Sequence, residues 1–319
     1  MSSAEISVRV ARIETVAERI KRIRFVPVDG QPLPTFSAGS HVVLKLRDGD
    51  RTIRNAYSLM GPLGDTSGYE ISVLRTTQSR GGSQFIHERL YEGAQLSITH
   101  PYNLFPIDLR ARKHLLIAGG IGITPIMAMA DQLFAIGAPY ELHYSTRTPS
   151  SGAYVDELKQ KHGRKLHHYQ TVSSRRIDLA GLLPQQPLGT HLYVCGPDAM
   201  IEDVLRLAKE AGWPSQHVHS EHFTAPRGGL PFDVVLTQSQ RTVRVQEDES
   251  ILHALESAGL NPPYLCRGGA CGQCETAVVN CEGNILHYDH YLTDEEKQAG
   301  RKIMICVSRI KGSHITLDL

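Results

Sequence analysis

Cys266, Cys271 and Cys274 stand in the segment Cys266-Arg-Gly-Gly-Ala-Cys271-Gly-Gln-Cys274, and Cys306 follows in Met304-Ile-Cys-Val307. A C-x4-C-x2-C hook with a distant fourth cysteine is the plant-type spacing for a [2Fe-2S] cluster. Three thiolates on one loop must turn inward together. Gly268, Gly269, Ala270 and Gly272 permit that curvature and let backbone N–H groups approach the sulfurs. A histidine-ligated cluster of the Rieske type would need histidines in the hook, and it has none. Structural zinc is the competing chemistry, but zinc sites usually pair two short hooks, whereas three candidates here share one. Cys281 lies outside the spacing and reads as a small core residue.

A second set of residues suits a phosphorylated aromatic cofactor. Arg54-Asn55-Ala56-Tyr57-Ser58 resembles the flavin signature of the ferredoxin reductase superfamily. Arg54 offers a planar, permanently charged fork for a phosphate. Tyr57 offers an aromatic face to the isoalloxazine or ribityl chain, and Ser58 can hydrogen-bond near the ring nitrogen that accepts hydride. Arg80-Gly81-Gly82-Ser83 then turns into a helical stretch, which suits an anion, although Ser83 as an ordinary helix cap explains the same residues. Glu221-His222-Phe223 resembles the segment that members of this superfamily lay against the flavin, which implies Phe223 as ring neighbour; a single Phe at a strand end otherwise reads as core.

A third set suits a dinucleotide. Gly119-Gly120-Ile121-Gly122-Ile123-Thr124-Pro125 follows a short apolar run and opens a helix, the context that gives a glycine turn its meaning. Pro125 replaces the last glycine of the usual fingerprint and suits a first helical turn. Gly120 and Gly122 allow close approach of a pyrophosphate, and Thr124 can donate to it. Cys195-Gly196-Pro197 ends another apolar strand, and this form resembles the superfamily's placing of a cysteine beside the reactive carbon of the nicotinamide. An inert buried thiol is the competing reading of Cys195, but the Gly196-Pro197 that follows favours the functional one, and Ser58 and Cys195 are the expected catalytic pair. Arg147, after a second strand, either meets a ribose 2′-phosphate or is the arginine that NADH-using relatives also carry.

The elements that must position these groups change character along the chain. Residues 5 to 100 read as short alternating strands broken by glycine- and aspartate-rich turns, which predicts an antiparallel β-barrel. From His114 onward, strands at 115–118, 141–145 and 191–195 alternate with helices at 125–136, 153–161 and 199–211, which predicts a parallel α/β sheet covered on both faces. Residues 230–319 hold 8 Lys/Arg and 12 Asp/Glu, a net of −4, which leaves +5 for the rest. Thr224-Ala-Pro-Arg-Gly-Gly-Leu230 has linker composition at that change. The expected domains are therefore 1–108, 109–223 and 232–319, with 224–231 as linker. A net charge of +1 over 319 residues gives no case for nucleic acid or an anionic membrane. Neither a spanning helix nor a secretory leader is visible, so a cytoplasmic, non-membrane protein is expected.

Beyond the hook, Ser250-Ile-Leu-His-Ala-Leu255, His287-Tyr-Asp289, Leu292-Thr-Asp-Glu-Glu296 and Cys306-Val-Ser-Arg309 resemble the C-terminal ferredoxin domain of the phthalate dioxygenase reductase family. Reductases of vanillate demethylase and phenoxybenzoate dioxygenase belong to the same group. Tyr288 is a departure, since relatives often carry arginine there. The resemblance extends over essentially the whole chain. It implies a flavin barrel, a nicotinamide domain and an α+β ferredoxin of the β-grasp type, in that order. It also implies FMN held by Arg54 and the Gly81-Gly82-Ser83 turn, NADH as donor with NADPH as the alternative, and Cys266, Cys271, Cys274 and Cys306 as cluster ligands. The activity implied is electron transfer from NADH through FMN and the cluster to an oxygenase bearing a Rieske centre, by a reductase that is a monomer when free. The acidic runs Glu247–Glu249 and Asp294–Glu296 are candidate docking residues or plain solvated faces. Two other activities share these motifs: a stand-alone flavin reductase or diaphorase, and a non-catalytic redox-sensing module.

Overall fold

The computed structural model describes residues 5–49, 51–77, 81–173, 176–223 and 228–319. Arg80 and residues 224–227 of the expected linker lie outside them. The chain divides into two compact units, Met1–Phe223 and Thr224–Leu319.

The first unit opens with β1 (Glu5–Ala17), β2 (Ile20–Pro27), β3 (Ser40–Asp48), β4 (Arg51–Ser58), β5 (Tyr69–Leu74), α1 (Gly82–Glu88), β6 (Gln95–Thr99) and β7 (Tyr102–Asn103). The antiparallel ladder runs β4-β3-β6-β1-β2-β5, with β7 beside β3. β1 extends well past the alternating run Ile6–Val10 because it pairs twice, with β6 over Glu5–Arg9 and with β2 over Val8–Ala17. Alternate residues such as Val8, Val10, Ile23, Phe25, Val42, Leu44, Ile71 and Val73 fill one apolar interior. Among the described residues no strand pairing closes β4 onto β5; a single antiparallel bridge, Met60 to Glu70, spans that seam.

The same unit continues with β8 (Lys113–Gly119), α2 (Ile123–Ala135), β9 (Tyr140–Thr146), α3 (Val155–His162), β10 (Leu166–Gln170), α4 (Leu179–Leu182), β11 (Thr190–Cys195), α5 (Asp198–Glu210) and β12 (Val218–Glu221). The sheet is wholly parallel, in the order β10-β9-β8-β11-β12. Leu116, Ala118, Tyr193 and Cys195 face α2, α3 and the barrel residues Ile20, Ala38, Met60 and Phe105. Leu115, Ile117, Leu192 and Val194 face α5 and the α4 turn. Every residue of Leu115–Ala118 and Leu192–Cys195 packs on one side or the other, which explains these unbroken apolar runs. From β8 to β10 the chain fills one side of the sheet, and from α4 onward it fills the other. The crevice outside the carboxyl ends of β8 and β11 is therefore the switch point where such sheets bind ligands.

This sheet also predicts an acid sensitivity. His143 of β9 is buried, stacked on His167 at 4.7 Å and hydrogen-bonded through Nδ1 to the Tyr169 hydroxyl at 3.0 Å. Burial, then the neighbouring His167, pushes His143 down to about 4. The unfolded chain, with an ordinary histidine value of 6.5, takes up its proton first as the pH falls. The contribution is therefore complete above 6.5 and is lost as the pH falls toward 4. Between pH 7 and pH 5 the wild-type unfolding free energy falls about 2 kcal/mol further than that of His143→Gln, read from urea midpoints.

The second unit contains β13 (Phe232–Leu236), β14 (Arg241–Val245), α6 (Ile251–Ser257), β15 (Glu275–Cys281), β16 (Asn284–Leu286), α7 (Asp294–Ala299), β17 (Lys302–Met304), β18 (Arg309–Lys311) and β19 (His314–Leu317). Its sheet runs β14-β13-β19-β15-β17, with β13 and β19 parallel and the other pairs antiparallel; β16 and β18 form a separate ribbon. The apolar side of α6, Ile251, Leu252, Ala254 and Leu255, packs on that sheet. Ser250 caps α6 by accepting the His253 N–H at 3.1 Å. Among the described residues no helix is long and apolar enough to cross a membrane.

Candidate functional site

β4 carries the first set of residues on an edge of the barrel sheet. Strand alternation directs Arg54, Ala56 and Ser58 to one face and Asn55 and Tyr57 to the other. At an edge strand, a ligand lying along the chain meets side chains of both faces. Arg54, Asn55 and Tyr57 are half-buried, Ser58 is buried and Ala56 is exposed. The glycine turn meets this strand directly. A Cβ on Gly82 would lie 2.1 Å from Asn55 Nδ2, so β4 and the start of α1 touch only because residue 82 has no side chain. Asn55 Nδ2 in turn donates to the Tyr57 hydroxyl at 3.3 Å. Gly81 turns the chain with φ 106, and the Ser83 hydroxyl lies 3.2 Å from that of Thr76, so Ser83 braces the turn rather than capping α1. A guanidinium, an aromatic ring, hydroxyls and a tight glycine turn form a donor set that fits a flavin phosphate and its ring.

The second set lies at the switch point. A Cβ on Gly122 would stand 2.3 Å from the Cys195 carbonyl oxygen, and one on Gly119 would stand 2.7 Å from Pro197 Cδ and from Met200 Sδ. These glycines are required by the packing of the β8 turn against the β11 turn. Gly120 is different: its φ is +53 and nothing lies within 4 Å of its missing Cβ, which leaves its outer side open to a ligand. The Thr124 hydroxyl donates to the Ile121 carbonyl at 3.1 Å and so closes the turn itself. Pro125 is buried in the first turn of α2, and Arg147 is exposed just past β9. Gly122→Ala overpacks this junction; it lowers stability by about 1–3 kcal/mol and slows flavin reduction by NADH, checked by urea unfolding and stopped-flow absorbance.

Between the two sets stands Glu221, which the sequence placed in the segment Glu221-His222-Phe223 without a role of its own. Glu221 ends β12 beside Cys195 in the parallel register, and the Ser58 hydroxyl donates to its Oε2 at 3.5 Å. Ser58 of the flavin strand, Glu221 and Cys195 therefore meet at the mouth of the crevice. Burial, and then the Glu221 charge, holds the Cys195 thiol protonated well above its usual value. It acts there as a small apolar surface and not as a nucleophile. Phe223 follows Glu221 and is 44% exposed.

In the second unit the sheet delivers the fourth cysteine. β15 pairs with β17 through Glu275 and Met304, so Cys274, just before β15, and Cys306, just after β17, come side by side. Cys266, Cys274 and Cys306 are buried and Cys271 is half-buried. The sulfurs meet in pairs, Cys266 with Cys271 and Cys306, and Cys274 with Cys306. Hydrogen bonds from Cys271 and Cys306, with the Gly268 and Ala270 N–H groups, hold the Cys266 thiol far below its usual value. Among the described residues no three His, Cys, Asp or Glu side chains close on a single-ion position. Three sulfurs from one glycine-rich hook and a fourth from a separate segment fit the plant-type two-iron arrangement better than the paired short hooks of structural zinc. Cys281 sits at the far end of β15 from Cys274.

Two further residues shape the hook. Arg267 has φ 56, forms a buried ion pair with Glu256 and lies 3.8 Å over the Tyr264 ring. Asp289, brought to about 2 against the cost of its burial by His287, whose Nδ1 lies 3.5 Å away, accepts from the Leu292 N–H at 2.9 Å and from the Ser308 hydroxyl at 3.2 Å. Its loop packs on Gly269, and the His290 N–H donates to the Gly269 carbonyl at 3.0 Å. The acidic run at α7 serves the fold: Glu296 and Thr293 form a reciprocal cap, and Glu296 pairs with Lys302 at 2.9 Å. Glu249 likewise pairs with His253 at 3.0 Å.

Fold and sites together define an oxidoreductase built from a flavin-binding barrel, an NAD-binding α/β domain and a [2Fe-2S] ferredoxin domain. Comparison with known proteins agrees. Residues 234–311 match the 2Fe-2S iron-sulfur cluster binding domain, and residues 97–218 match the N-terminal domain of dimethylamine monooxygenase subunit DmmA-like proteins. A solved phthalate dioxygenase reductase, described as a modular structure for electron transfer from pyridine nucleotides to [2Fe-2S], superposes with a TM-score of 0.88 at 34% identity, covering 99% of this chain and 98% of that one. The chain belongs to the phthalate dioxygenase reductase family. It is 46% identical to the heme-dependent oxidative N-demethylase beta subunit of Ectopseudomonas mendocina over 99% of this chain and all of that one. It is 43% identical to the carnitine monooxygenase reductase subunit of Acinetobacter baumannii, over 97% and 96%.

Proposed function

We propose that this chain is the reductase component of a two-component oxygenase or demethylase, taking electrons from NADH and delivering them to a separate oxygenase subunit. The observation that carries this reading is the meeting of Ser58, on the flavin strand, with Glu221 and Cys195 at the nucleotide crevice. When bound, FMN converts a two-electron hydride donor to one-electron delivery, and the [2Fe-2S] cluster carries those electrons singly. The residues of this chain supply the rest. Arg54 and the turn at residues 81–83 hold the flavin phosphate. Asn55, Ala56 and Tyr57 lie along the cofactor, Ser58 meets the reactive end of its ring, and Phe223 borders it. Gly120 and Gly122, followed by Thr124 and Pro125, shape the pyrophosphate turn. Cys195, Gly196 and Pro197 leave room for the nicotinamide, and Arg147 lies toward its far ribose. Cys266, Cys271, Cys274 and Cys306 hold the irons.

The acceptor is an oxygenase with a Rieske centre, met by a reductase that is a cytoplasmic monomer when free. A second acceptor class has a specific observation behind it: the relative from Ectopseudomonas mendocina is named for a heme-dependent N-demethylase. An anaerobic visible titration with NADH, with acid-released flavin and iron measured on the same sample, tests the proposal. Bleaching of both chromophores with FMN in the supernatant supports it. Bleaching of flavin alone, with zinc in place of iron, reduces the chain to a stand-alone flavin reductase.

A further inference from the structure

One buried network outside these sites ties the nucleotide domain to the barrel wall. Tyr154 precedes α3 with φ 64 and ψ 8, the left-handed region in which an L-residue is crowded. Its ring is buried, and its hydroxyl hydrogen-bonds the equally buried Ser72 hydroxyl on β5 of the barrel. Arg22 of β2 lies over the same ring at 5.5 Å; it is fixed by Glu70 of β5 at 2.6 Å and reaches Glu157 of α3 at 3.7 Å. Nearby, the Glu18 N–H donates to the Ser150 carbonyl at 2.8 Å, and the Ser150 hydroxyl donates back to the Glu18 carboxylate at 2.8 Å. On the other side, buried Tyr144 of β9 shares the Tyr154 core and donates to the Gly120 carbonyl at 3.3 Å. The path therefore runs from the barrel wall, through two tyrosines, to the open glycine of the dinucleotide turn.

Apolar packing between barrel and sheet is non-directional and leaves the two free to slide. A buried hydroxyl pair is directional and selects one setting. We propose that Tyr154 is a positioning residue: through Ser72 it fixes the Gly120–Gly122 turn at the spacing from the flavin strand that hydride transfer requires. This rests on the function proposed above. In that reaction the C–H bond of NADH breaks, its hydrogen and both electrons pass to the flavin, and NAD+ leaves. Such a transfer needs reacting atoms about 3–3.5 Å apart, and a misplacement of about 1 Å costs on the order of 100-fold in rate.

The test uses the holoprotein with Tyr154→Phe, Ser72→Ala and the double variant, in anaerobic stopped flow with NADH and its 4-deuterated form. Each single variant lowers the limiting rate of flavin bleaching about tenfold while the NADH dissociation constant stays within about twofold. The double variant is no slower than either single, because both remove one link. Independently of activity, amides in residues 148–157 and in β5 exchange hydrogen faster in Tyr154→Phe. Wild-type rates with unchanged exchange overturn the proposal, as does a double variant whose loss is the product of the singles. If the wild type itself fails to bleach with NADH, the proposed function falls first and this role falls with it.

Discussion

Replacing Cys306 with serine leaves a protein that still bleaches its flavin with NADH and still reduces ferricyanide, while electron delivery to cytochrome c falls by more than roughly 100-fold, beyond the usual cost of losing an outer-shell partner. The reason is placement. Cys306 is 2% exposed, follows β17, and is the one proposed ligand carried by a different segment from the hook. The β15–β17 register, and not loop flexibility, brings it to Cys274. A serine hydroxyl there is a harder, less acidic group on a backbone that cannot shift to compensate. Iron content therefore drops along with the one-electron activity. Cys281→Ser is the control: it lies at the opposite end of β15 and keeps wild-type iron and rate. Full iron occupancy and undiminished cytochrome c reduction in Cys306→Ser would remove Cys306 from the ligand set.

The cysteine hook was legible in the sequence because a cluster loop draws three ligands from nine residues, so the chemistry is written as local spacing. The alternating strands and the β8 and β11 runs were legible for a similar reason, since periodicity reports which faces are buried. Strand extent was less so: β1 runs past its apolar segment because two neighbours share it, and pairing is a long-range property. The glycines of the dinucleotide turn were visible, but their reasons were not. Gly122 is set by the Cys195 carbonyl, 73 positions away, and Thr124 spends its hydroxyl on its own turn. Tyr154 carried no signal of its own, and Glu221 and Asp289 stood only as members of the segments 221–223 and 287–289, with no role assigned. Each is a common polar residue that becomes informative only when a distant partner, Ser58, Ser72 or Ser308, is folded against it.

Arg309→Met destabilises the ferredoxin unit by about 3 kcal/mol, the cost of leaving buried carbonyls without a donor. Arg309 is 1% exposed, among the most deeply buried large side chains described. Its guanidinium donates to the Glu249 carbonyl, to those of Leu230 and Gln246 at 3.0 Å, and to that of Gly229 at 3.3 Å. It also lies 5.1 Å from the Phe232 ring. Desolvation lowers its pKa despite the nearby Glu249 and Asp248 charges, and four main-chain acceptors on two segments need this one fork. Methionine fills much of the volume and leaves those carbonyls unsatisfied, each a buried polar group at about 1–3 kcal/mol. Arg309→Lys recovers only part of the loss, because a single ammonium cannot reach acceptors spread around a planar fork. Arg309 lies three residues after Cys306, so the same loss is read optically. In urea, the iron–sulfur absorbance of Arg309→Met collapses at a lower midpoint than wild type, while flavin release from the first unit keeps its own midpoint. If both midpoints stay at wild-type values, the four carbonyls have found other donors and the fork is dispensable.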